Sequence, residues 1–170
     1  MPKLYKYVGA DEIRQKIRHL PSGNLILSIS DIETWIQETK QQTDVWRLIA
    51  ATFVINEEGC FRIADRHFEH IACAGGKPVL SAGEIFFQIN KNKLQVAEIT
   101  NQSTGFCPEA QSWKHVARVL DLIKIPHPSS FTIEFIFRRC HYCSQINIVK
   151  DNLFICFVCA TKLPQKYNLS

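Results

Sequence analysis

The hydrophobic pattern of the chain changes rhythm twice. Near the start, Lys3 to Tyr7 alternate weakly and read as a short strand. Ile13, Ile17 and Leu20 then repeat on one helical face behind Asp11, a candidate N-cap. Pro21-Ser22-Gly23-Asn24 breaks the chain, and Leu25 to Ile29 is a short apolar run that predicts a strand. Ser30 and Glu33 have the spacing of a capping box ahead of Ile32, Trp35 and Ile36, which form the stripe of a second helix. That stripe fades into the polar run Glu38 to Asp44.

From Val45 the pattern turns to β-branched and aromatic residues. Val45 to Ile55, Cys60 to Ala64, Phe68 to Cys73, Val79 to Ile89 and Leu94 to Thr100 read as strands, with Asn56-Glu57-Glu58-Gly59 as a hairpin turn. Parallel neighbours need long crossovers, so these short connections predict an antiparallel β-meander of about five strands. The helical rhythm returns after Pro108 and Glu109, where Trp113, Val116, Ala117, Leu120 and Ile123 recur until Pro126 and Pro128 end it. This helix is the candidate cover for the sheet. Phe131 to Phe137 is a further strand and runs straight into a cysteine-rich tail. The fold class expected is α+β: a meander packed by helices over residues 1–130, and a C-terminal segment, 131–170, continuous with that core.

The tail carries Cys140-His141-Tyr142-Cys143 and Cys156-Phe157-Val158-Cys159. Each Cys-x-x-Cys pair can turn two thiolates toward one point, and two pairs can close a tetrahedral cage. Between them, Ile146 to Val149 reads as a strand, Lys150-Asp151-Asn152 as a turn and Leu153 to Ile155 as a returning strand. This segment resembles a zinc ribbon. The resemblance implies one structural Zn²⁺ per chain held by Cys140, Cys143, Cys156 and Cys159. It implies no particular activity, because such ribbons are grafted onto many functions.

Composition narrows the setting. Of 170 residues 46% are hydrophobic, enough for one core with a small metal-held appendage. No apolar run is long enough to span a bilayer, the first fifteen residues lack the apolar stretch of a signal peptide, and the seven cysteines are an odd number. A cytoplasmic protein without a membrane role is the expectation, with Cys60, Cys73 and Cys107 as small buried residues. The net charge of +4 is mild. Four thiolates on one Zn²⁺ would carry −2 and offset most of the basic surplus in the tail.

Three functional readings arise. The first is a binding or adaptor module for protein or single-stranded nucleic acid, presenting Tyr142 and Phe157, one from each cysteine pair, beside Arg138, Arg139 and Lys150. The second is an enzyme. His67, His70 and Glu84 could build a His/His/carboxylate metal site, or Asp65 could orient His67 or His70 as a general base while Arg62 or Arg66 holds an anionic substrate. The Ser103-Thr104-Gly105 turn could bind an anion, with Cys107 as a nucleophile of lowered pKa at a helix start. The third rests on a resemblance. Ala82-Gly83-Glu84, a Lys/Asn turn, a strand and Asn101-x-Ser103-Thr104-Gly105-Phe106-x-Pro108 are similar to a segment of some bacterial toxin-associated and uncharacterised proteins. Those carry Asn-x-Ser-Gly-His-Tyr-x-Pro before a helix. Gly105 and Phe106 stand here at the family's His and Tyr positions. The resemblance implies a meander followed by a helix, and a toxin-associated or immunity-type role.

Overall fold

In the computed structural model, which describes residues 1–169, the α+β class holds. The order is α1 (Asp11–Lys16, extended by a 3₁₀ turn Ile17–His19), β1 (Asn24–Ile26), α2 (Ile29–Glu38), β2 (Leu48–Asn56), β3 (Phe61–Asp65), α3 (His70–Cys73), β4 (Val79–Asn90), β5 (Lys93–Thr100), α4 (Trp113–Leu122), β6 (Ile136–Arg139) and β7 (Ile146–Val149). The first five strands form one antiparallel sheet in the order β1-β3-β2-β4-β5, and β6 pairs with β7 in a separate ribbon.

Five strands are present, but one is not where the pattern put it. Phe68 to Cys73 is not a strand: His70–Cys73 is a single helical turn. β2 has β3 on one side and β4 on the other, so the chain must cross β2 to continue. α3 makes that crossing and packs on β2 and β3. The fifth strand is Asn24–Ile26, at the edge beside β3. Strand β2 also starts later than expected, at Leu48, which leaves Val45 and Trp46 in a turn.

Pairing register sorts the side chains into two layers. Ile49, Ala51, Phe53, Ile55, Phe61, Ile63, Ile85 and Phe87 face α2 and α4, and form the main core with Ile32, Trp35, Val116 and Leu120. Val54, Ala64 and Ala82 face the other way, against Tyr5, Ile17, Ile71 and Phe106. Strands buried on both faces read as continuous apolar runs, and the interior of β2 is buried from Leu48 through Ile55.

Helix starts also differ in detail. α2 is capped by Ser28, not Ser30: the Ser28 hydroxyl accepts the Asp31 N–H at 3.3 Å, and the Asp31 carboxylate accepts the Ser28 N–H at 2.9 Å. Both serines have an acid three residues on, and only the earlier start brings Ile29 onto the stripe with Ile32 and Ile36. Ala10, not Asp11, precedes α1, and no side chain caps it. A 3₁₀ turn, Ala110–Ser112, separates Pro108 from α4.

The ribbon joins the core through specific bonds. Asn101 is fully buried. Its amide donates to the carbonyls of Pro108 (2.8 Å) and Phe135 (2.9 Å), and its oxygen accepts the Phe135 N–H at 2.7 Å. Phe137 and Leu169 pack on Cys107, and the Tyr167 ring meets Tyr5 edge-on at 5.9 Å.

Candidate metal centre and the cleft beside it

The two cysteine pairs sit in two turns of the same build. Ser144 N–H donates to the Cys140 carbonyl at 3.0 Å, and Ala160 N–H to the Cys156 carbonyl at 2.9 Å. Both closing residues are left-handed, with φ of 63° and 60°. Cys140 N–H and Cys156 N–H then bond Gln145 and Thr161 carbonyls at 2.9 and 2.8 Å. β6 and β7 flank the first turn, while the Ile155–Lys162 bridge flanks the second. The expected returning strand at Leu153 to Ile155 is reduced to two isolated bridges.

These turns bring all four sulfurs within 4.8 Å of one another. Cys140 and Cys159 lie 3.5 Å apart, Cys143 and Cys156 3.6 Å. Four sulfurs on one tetrahedral Zn²⁺ at about 2.3 Å would stand about 3.8 Å apart, so the spacing fits a shared ion. The surroundings favour the thiolate at Cys156 and Cys159, while at Cys143 the Gln145 N–H is outweighed by hydrogen bonding among the sulfurs, which holds the proton more tightly. Burial pushes Cys156 up, but N–H groups of Cys159 and Val158 and the Asn147 amide draw it down to about 6. Asn147, itself buried, donates to Cys156 Sγ at 3.5 Å and accepts Phe157 N–H at 3.0 Å. Thr161 lowers Cys159. The cluster could therefore hold a metal ion, consistent with a zinc-ribbon-like site.

Beside this centre lies a cavity of about 840 Å³ between ribbon and core. Its ribbon wall is Phe137, Ile146, Ile148, Lys150, Leu153, Ile155 and Phe157; the core wall includes Tyr7, Ile13, Glu69 and the Thr104-Gly105 turn. Gly105 is fixed by contact, since a Cβ there would fall 2.6 Å from the Tyr7 ring. The ribbon residues 146, 148, 150 and 153, 155, 157 are two runs of alternating positions. That period of two was a sequence signal for a shared face.

The other candidate residues distribute differently. Arg138 is spent on its own tail: its guanidinium donates to the Pro164, Phe137 and Gln165 carbonyls at 3.1, 2.7 and 2.8 Å. Arg139 donates to the Ser144 carbonyl at 3.2 Å. Tyr142 is 79% exposed and Phe157 72%, but only Phe157 lines the cleft. Lys150 lines it too.

The polar set on the core does not assemble into a metal site. Among the described residues the four cysteines alone form a metal-ligating group, so His67, His70 and Glu84 are not brought together as ligands. His70 is half-buried, its Nε2 lies 2.9 Å from the Gly83 carbonyl oxygen, and desolvation lowers its pKa. His67 is exposed, and its N–H donates to Asp65 at 2.9 Å. Arg62 donates to the Gly23 carbonyl at 2.8 Å. Ser103 is buried and its hydroxyl accepts the Phe106 N–H at 3.3 Å. Cys107 is no activated nucleophile: burial pushes its thiol up to about 12, and Sγ donates to the Thr104 carbonyl.

Comparison of the chain with protein-family models, with curated proteins and with solved structures gave no significant match, so the site is read from its own geometry.

Proposed function

We propose that this chain is a zinc-stabilised protein-binding module whose cleft between core and ribbon takes an apolar segment of a partner protein. The metal inferred is Zn²⁺, because four thiolates at tetrahedral spacing are its structural ligand set. When bound, the ion cross-links the two turns where few apolar residues are available to do so.

One observation carries the reading: the ribbon turns Leu153, Ile155 and Phe157 toward a cavity and not into the core, while Ile148 lines the cavity and packs on the Cys107–Phe137–Leu169 cluster. Leu153 and Phe157 stay largely exposed, and Val158 and Tyr142 in the two cysteine turns are exposed as well. A small molecule could fill the cavity without using these exposed side chains. A protein surface uses both, and large apolar side chains around a pocket are the usual anchors of such contacts. The ribbon is a poor nucleic-acid surface by comparison, because Arg138 and Arg139 already serve backbone carbonyls. No observation favours the enzyme or the toxin-associated alternative.

Metal analysis should find about one zinc per chain. A peptide-display selection against the zinc-loaded chain should enrich apolar segments. Ile155→Asp and Phe157→Asp, both at exposed positions, should weaken the selected peptides at least about tenfold with circular dichroism unchanged. Peptides that bind both variants as well as the parent would refute the cleft as the docking site.

A further inference from the structure

A second constellation lies on the loop between α2 and β2, on residues the cleft does not use. Val45 is 89% exposed and Trp46 76%. The turn that presents them is rigidly held. One oxygen of Asp44 accepts the N–H groups of Trp46 and Leu48 at 2.8 and 2.9 Å, Asp44 N–H bonds the Leu48 carbonyl at 2.9 Å, and Arg47 is left-handed with φ 60°. Beside the turn is a concave site of about 350 Å³. Lys40, Arg66 and His67 line it together with the amides of Gln41 and Gln42.

Two cations, Lys40 and Arg66, and two carboxylates, Asp44 and Asp65, line this site, and Arg47 on the adjoining turn adds a third cation. The two carboxylates are occupied internally, Asp44 by the turn and Asp65 by the His67 N–H and the Gln41 amide. Among the described residues no ion pair involves Lys40, Arg47 or Arg66. The turn therefore combines an exposed indole, two side-chain amides whose N–H groups bond within the loop and whose oxygens are left to accept, and three cations that make no direct ion pair.

We infer that this loop binds single-stranded nucleic acid, with a base stacked on Trp46, base-edge groups near Gln41 and Gln42, and phosphates met by Lys40, Arg47 and Arg66. Base-on-aromatic stacking needs no sequence and is worth about 1–3 kcal/mol per base. A membrane surface would use Val45 and Trp46 but leave the amide-lined hollow unfilled. An apolar protein pocket would do the same. A nucleotide uses all three features.

The test is titration of the zinc-loaded full chain with dT12, read by fluorescence anisotropy and tryptophan emission. Trp46 is the exposed indole, since Trp35 is buried and Trp113 is packed beside Phe131. Stacking should quench its emission. Trp46→Ala should weaken dT12 about 5- to 150-fold, the range of the stacking energy converted to affinity. Lys40→Glu with Arg66→Glu should also weaken binding and reduce the salt slope by about 1.4, for two phosphates. Phe157→Asp, which weakens peptide binding at the cleft, should leave the dT12 affinity at its parent value and so separates the two surfaces. All these positions are exposed, and circular dichroism checks that each variant folds. Absence of dT12 binding at 50 mM salt, or binding indifferent to Trp46→Ala, overturns the inference. So does equal affinity for dTMP, which would mark a free-nucleotide site. Association with vesicles of phosphatidylcholine and phosphatidylserine, without oligonucleotide binding, overturns it in favour of a membrane.

Discussion

Gly83 shows how closely single positions are constrained. A Cβ there would overlap the Thr100 carbonyl oxygen, because β5 leaves the sheet against β4 at this point. Gly83→Ala should therefore cost about 1–3 kcal/mol, read as a lower denaturant midpoint with unchanged slope. Ala160 is the opposite case. It holds φ 60° without being glycine. Ala160→Gly should raise the stability of the metal-loaded chain by up to about 1 kcal/mol, measured in the same way. Cysteine chemistry divides along the same lines. Burial pushes Cys73 and Cys107 to about 12, so neither should react with iodoacetamide at pH 8 until the chain is denatured, a difference that mass spectrometry resolves. Residue identity announced the four ligands by spacing alone. It could not announce that Arg138 and Arg139 are already engaged, because their partners are carbonyls of residues up to 27 positions away.

At the scale of elements, local pattern located most helices and strands but not their edges. Residues 68–73 are the clear departure. Six residues with four apolar side chains, Phe68, Ile71, Ala72 and Cys73, fit a strand or a buried helical turn equally well. The need to cross β2 decides for the helix. The cap of α2 makes a pH prediction. The Leu27 and Ser28 N–H groups, with the Ser28 hydroxyl, hold the Asp31 carboxyl below its ordinary value. A lowered folded-state pKa gives stability that is present above the unfolded value near 3.9 and lost as pH falls through the folded one. Carboxyl NMR should place the Asp31 midpoint below 3.8, and α2 should fray only in more acidic solution. For the ribbon, Cys143→Ser or Cys156→Ser should abolish metal binding and speed hydrogen exchange across 136–163. Exchange in β2 and β4, whose contacts are within the main sheet, should stay slow. Uniform loss of protection would mean that ribbon and sheet fold as one cooperative unit.

At the scale of the whole molecule, the two proposed binding surfaces fall on different parts of the chain: the apolar cleft against the ribbon and the Trp46 loop between α2 and β2. No helix among the described residues is long and apolar enough to cross a membrane. What the sequence alone determined is whatever depends on nearest neighbours along the chain. The Cys-x-x-Cys turns, the alternation of residues 146–150 and 153–157, the stripes of α2 and α4, and the hairpins β2–β3 and β4–β5 all follow from spacings of two to four residues. Strand order, the helix that crosses β2, the loss of two arginines to the tail and the exposure of Val45 and Trp46 were decided by tertiary structure. Each depends on which distant backbone groups still lack a hydrogen-bond partner once the core has closed, and local spacing carries no record of that.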